Sequence, residues 1–147
     1  MRIRPGTIAT LAAVAAAALV AGAGATAGAG ATEHSRSARP AAARSIAAAV
    51  KSSPVAGLRQ VRSKFNVTRI RVSTRSAWWA SADVTAKPAF ADSFQGGYAV
   101  LIRLNQASKP GPWVVIDAGS DSVACGIAPT SVLRDLGRGG CPPGDSV

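Results

Sequence analysis

Between Phe65 and Ser120 the chain alternates apolar and polar residues with a period of two, and this alternation limits the fold more than any other feature. In residues 67–73, Thr68, Ile70 and Val72 fall on one side and Arg69, Arg71 and Ser73 on the other, as in a strand with two unlike faces. Residues 78–87 repeat the pattern, with Trp78, Ala80, Ala82, Val84 and Ala86 opposite Trp79, Ser81, Asp83, Thr85 and Lys87. The ladder of small alanines marks a face on which a helix can lie close. Residues 98–105 are apolar on both faces apart from Arg103, which suits a central strand, and 113–118 form a fourth. The loop 88–97 carries two phenylalanines placed to fold back as a cover, and Lys109-Pro110-Gly111-Pro112 reads as a turn. Four consecutive strands joined by short loops predict an antiparallel meander.

Helical signals flank these strands. Residues 45–52 read as a short helix with Ser45 as N-cap, ended by Ser52-Ser53-Pro54. Pro54 could open a second helix, since Val55, Leu58, Val61 and Phe65 recur at helical spacing, although Gly57 weakens it by about 1 kcal/mol relative to Ala. Near the C-terminus Pro129 opens a short helix that Gly137 ends. The expected fold class is α+β: an N-terminal helix packed on a four-stranded antiparallel meander, with a short C-terminal helix and a disulfide-tied tail. A small barrel-like roll is the alternative.

The first thirty residues carry a different message. Met1-Arg2-Ile3-Arg4 is a positive start, residues 8–20 are an unbroken apolar run, and small residues offer cleavage after Ala25, Ala29 or Ala31. These are the three parts of a secretory leader; left uncleaved, the uncharged stretch 8–29 is long enough to span a membrane. The expected division is a leader over 1–31, a flexible basic linker over 32–44 and one small domain over 45–147. Two cysteines behind such a leader, Cys125 and Cys141, predict one disulfide. It closes a loop for which chain entropy gives roughly 3 kcal/mol, whereas two Cys without a nearby His make a poor zinc set.

The formal charge is +10, and it is unevenly spread. From His34 to Ala82 ten Lys or Arg occur without an acid, and beyond that the signs are mixed. Such a basic half is drawn to polyanions, and outside a cell these are teichoic acids, anionic lipid or acidic polysaccharide, anionic cell-wall polymers foremost, rather than nucleic acid. The competing account is a solubilising charge excess without a partner.

Several chemistries find no residues to carry them. The single histidine, His34, lies in the linker, so nucleophile–histidine catalysis lacks its base. The domain has no Glu for paired-carboxylate hydrolysis. The run Asp117–Asp121 lacks the acids and closing Glu of a calcium loop and reads as a turn with Asx hydrogen bonds. No catalytic, cofactor or metal residues are therefore assigned. Without a bulge, strand parity gathers one constellation: Arg69, Arg71, Trp79, Asp83 and Arg103 on one side of the sheet, with Trp113 and Asp117 joining them if register permits. Arginines and aromatics on an open sheet face make a platform for sugars or anionic polymers. The plainer account pairs Asp83 and Asp117 with Arg71 and Arg103 across strands, at about 0.2–1 kcal/mol each.

A set of motifs also carries a resemblance. Trp79-Ala80-x-Ala82-x-Val84, Trp113-Val114-Val115-x-Asp117-x-Gly119-Ser120, Cys125, Pro129-x-x-Val132-Leu133-x-Asp135-Leu136 and Cys141 together resemble small secreted proteins of high-GC Gram-positive bacteria, over residues 45–141. That group has no assigned function, so the resemblance implies secretion and a compact fold, and no site residues. More loosely, a helix followed by a curved antiparallel sheet is similar to cystatin-like and NTF2-like folds.

The functional expectation is a secreted, non-enzymatic binding module for an anionic cell-wall polymer or a secreted protein partner, with membrane contact only if the leader persists. A small hydrolase or ligand-pocket protein using Asp83 or Asp117 is the alternative. A deep pocket lined by those carboxylates would favour the second reading, and a flat basic face the first.

Overall fold

A computed structural model describes residues 35–106 and 109–142; the expected leader and His34 lie outside the described residues. The architecture is α+β, built on one antiparallel sheet of five strands in the order β1-β2-β3-β4-β5. These are β1 (Arg36–Ser37), β2 (Phe65–Val72), β3 (Trp79–Ala86), β4 (Gly97–Gln106) and β5 (Lys109–Gly119), with helices α1 (Pro40–Ser52) and α2 (Thr130–Asp135). No described helix is long and apolar enough to cross a membrane.

The period-two pattern locates β2 to β5, and the meander order follows from it. The fifth strand does not come from that pattern. Arg36 and Ser37 pair with Val72 and Arg71 of β2, so part of the stretch expected to be a tether is an edge strand. The helix also starts earlier than Ser45. Arg39 is the N-cap residue and Pro40 opens the helix, where its missing N–H costs nothing; the alanines that follow are the best helix formers available. The second helix does not form. Val55–Gly57 is a short 3-10 turn broken by positive φ at Ala56 (49°) and Gly57 (70°), and Phe65 belongs to β2. The segment 109–112 is likewise not a turn: Pro110 and Pro112 stand inside β5, at the edge of the sheet, where a residue without an N–H is tolerated.

One core lies between α1 and the sheet. Ile46 and Val50 of α1 pack with Phe65, Val72, Ala80, Ala82, Val84, Ala99, Leu101, Trp113 and Val115. Ala80 and Ala82 are fully buried, so the alanine ladder does admit the helix closely. Phe94 folds back from the 88–97 loop, its ring stacked on Phe65 at 5.6 Å.

The opposite face of the sheet is covered as well. Val123, Ala124, Ala128 and Leu133 pack on Val100, with Trp79, Tyr98 and Ile116 at the margin. This explains why β4 is apolar on both sides: it has a helix above it and the C-terminal segment below. The disulfide Cys125–Cys141, with Cα atoms 5.5 Å apart, ties the end of that cover to its beginning. Gly137, at φ 74°, ends α2, while Arg138 N–H donates to Leu133 O at 2.7 Å, a left-handed helix stop.

Candidate functional site

Two bulges, together with a β3–β4 register that sets Trp79 opposite Ile102, decide where the expected binding residues stand. In the β2–β3 ladder the register shifts between Thr68 and Arg71, and Arg69 takes a positive φ of 41°. In the β4–β5 ladder Leu101 pairs with Val115 but Val100 with Asp117, so Ile116 is the extra residue. A bulge moves every later side chain to the other face. Trp113 therefore packs under α1, while Asp117, of the same parity, serves the opposite side. Arg103 pairs with Trp113, on the α1 side.

The expected constellation is thus divided. Arg69, Arg71, Trp79 and Asp83 belong to the face that the C-terminal segment covers, and Arg103 and Trp113 to the face that α1 covers. Neither face is an open platform, because each has a layer of chain upon it.

On the C-terminal side the acids are used internally. The Asp83 carboxylate, 6 % exposed, accepts Arg69 Nε at 2.6 Å and forms ion pairs with both Arg69 and Arg138. The Arg138 guanidinium also sits 4.1 Å from the Tyr98 ring centroid, a cation–π stack. Arg71 donates to Ser35 Oγ at 3.1 Å. Asp117 accepts two backbone N–H groups, from Ala118 at 2.8 Å and Ala124 at 2.6 Å, so its work is to shape the turn after β5. The cross-strand partners expected from parity, Arg71 and Arg103, are replaced by Arg69, Arg138 and the backbone.

Asp135 completes the set. It is buried, and it accepts Ser73 Oγ, Thr74 Oγ1 and the Thr74 N–H. Burial opposes its ionisation, but these bonds and the Arg75 N–H outweigh that cost and hold the carboxyl below its ordinary value. Among the described residues no group of three or more His, Cys, Asp or Glu is arranged as a metal cluster.

Among the described residues, hollows lie on the α1 side. A small apolar pocket of about 160 Å³ lies at the end of the sheet, against Leu58, Val84, Phe94 and Tyr98. A larger groove, about 710 Å³, runs along α1 beside Arg39, Arg103, Pro112 and Trp113. Arg103 is fixed at its wall: its Nε donates to Gly111 O at 3.2 Å, and its guanidinium lies 5.7 Å from the Trp113 ring centroid. Neither Asp83 nor Asp117 lines either hollow.

Arg39 belongs to the expected basic half but not to the expected sheet-face constellation, and Arg138 to neither. Arg39 lies in the expected linker, although Arg39-Pro40 followed by three alanines is a legible helix start. Arg138 carries no local signal, because its partners Asp83 and Tyr98 are brought to it by the fold alone. Comparison of the chain with protein families, with curated proteins and with solved structures finds no match.

Proposed function

We propose that this chain is a secreted, non-enzymatic module that binds an anionic polymer of the cell wall through its cationic surface. The observation that carries this reading is the fate of the acids. The described residues include fifteen Lys or Arg and five Asp. Three of the five, Asp83, Asp117 and Asp135, are taken up by internal bonds. Asp92 and Asp121 are exposed, against ten exposed cations from Arg36 to Arg134. A surface of this kind attracts polyanions over a Debye length, about 8–10 Å at moderate salt.

The same disposition gives no support to a carboxylate-based hydrolase. Asp83 is held between two guanidiniums and Asp117 by two N–H groups, and neither lines the pocket at Leu58 or the groove along α1.

The test is co-sedimentation of the purified protein with cell walls over a salt series, with a neutral polysaccharide as control. The reading expects binding at low salt that falls steeply as salt rises, and none to the neutral polymer. Protein that stays in the supernatant at low salt would overturn it.

A further inference from the structure

The groove along α1 continues into a second hollow of about 240 Å³, and the two share Arg39, Ala42, Arg103 and Trp113 as lining. The first part follows one face of α1 through Ala41, Ser45, Ala48 and Ser52, residues three to four apart. At 1.5 Å per residue that is a channel about 16 Å long. The second part passes Arg39 toward Arg36 and Ala77. Together they are longer than a single sugar ring and open along their length.

The lining is chemically one-sided. Three arginines, Arg36, Arg39 and Arg103, contribute to it, and no acid does. The rest is alanine, serine, glycine, proline, Val72 and the Trp113 floor, a shallow surface without large apolar anchors. Arg103 is already ordered on Trp113 and Gly111, so little side-chain entropy is lost when it meets an anion. Its bond to Gly111 uses Nε and leaves both terminal nitrogens for a ligand.

We propose that this groove binds a single strand of a linear, anionic, polyhydroxylated polymer, one phosphate or carboxylate of which is held by Arg39 and Arg103. This rests on the polyanion reading above and goes beyond it, because it assigns binding to one concave site rather than to overall charge. The small, mixed lining accepts a chain that presents both C–H and O–H groups, as a sugar or polyol backbone does.

The experiment is titration calorimetry of the purified protein with poly(glycerol phosphate), with polygalacturonate and with neutral chitotetraose. The two anionic probes separate phosphodiester from carboxylate. Two double variants change the charge equally at different places: Arg36→Gln with Arg39→Gln in the groove, and Arg59→Gln with Arg62→Gln in the loop after α1. All four residues are exposed, and circular dichroism checks each fold. The groove pair is expected to weaken an anionic probe about tenfold, as loss of a charge-assisted hydrogen bond does, and the loop pair less than about threefold. Arg103→Lys, which keeps the charge but loses the planar stack, is expected to weaken it too. Equal weakening by both pairs would overturn the groove while leaving the polyanion reading intact. Tetraose binding as tight as that of the anionic probes would also overturn it. Failure of the unaltered protein to bind either anionic probe would instead remove the reading on which the groove rests.

Discussion

Ser73 and Asp135 lie 62 residues apart in the chain and share a buried hydrogen bond. The hydroxyl donates to the carboxylate and in turn accepts the N–H groups of Arg75 and Ser76, at 3.1 and 3.2 Å. One carboxylate from α2 thereby organises the whole turn between β2 and β3.

This arrangement sets a pH dependence. The Asp135 carboxyl is held below its ordinary value of 3.8 in the folded protein, so its contribution is full above that value and is lost as pH falls through the lower, folded one. Asp135→Asn is expected to cost about 1–3 kcal/mol at neutral pH. Urea denaturation of both proteins from neutral pH down to about pH 2 should show the difference shrinking only below the ordinary carboxylate range.

The two arginines on Asp83 are not equivalent. Arg69 is 76 % exposed at its side chain and Arg138 is 20 % exposed, and Arg138 also stacks on Tyr98. Arg69→Ala is expected to cost less than about 1 kcal/mol, as exposed pairs do. Arg138→Ala should cost more, about 1–3 kcal/mol, because it removes a part-buried charge-assisted bond and the stack on Tyr98 while Arg69 remains on Asp83. Chemical denaturation of the two variants gives the ranking directly.

The disulfide holds the C-terminal cover on the sheet. Replacing Cys125 and Cys141 together by Ser is expected to cost about 2–5 kcal/mol. The loss should appear as a lower thermal midpoint and faster proteolysis within residues 120–142, with strands β2 to β4 cut last.

Two glycines separate close approach from backbone strain. A Cβ on Gly97 would lie 2.3 Å from the Gly119 carbonyl oxygen, a backbone atom that cannot step aside. A Cβ on Gly126 would meet nothing within 4 Å, and only its φ of +72° is unfavourable. Gly97→Ala is expected to cost about 1–3 kcal/mol through displaced backbone, and Gly126→Ala about 1–2 kcal/mol. Thermal denaturation under one buffer condition distinguishes them.

Much of the fold was legible because period two is imposed by strand geometry and cannot be hidden by composition. The alanines at 80 and 82 even marked where the helix lies. The bulges at Arg69 and Ile116 were not legible. An extra residue in a strand leaves no mark in composition when its neighbours are ordinary strand formers, and every facing assignment beyond it inherits the error. That is why Trp113 and Asp117, of equal parity, serve opposite faces. The cover on the second face was half legible. The apolar character of both sides of β4 required a second layer, but residues 120–129 have no period to identify them as that layer. At the N-terminal end, charge and small residues concealed Arg36 and Ser37, whose strand pairing is supplied by β2 and not by their own sequence.

The contact between Asp135 and the β2–β3 turn has a consequence for the order in which the molecule can be completed. Ser35 N–H donates to the Asp135 carbonyl at 3.2 Å, so the same residue secures both the segment leading into β1 and the β2–β3 turn. A polypeptide that emerges N-terminus first, from a ribosome or a translocation pore, has neither anchor until residue 135 has emerged. The meander can pair locally before then, but the strand at Arg36 and the turn at Ser73 wait for Asp135 to arrive.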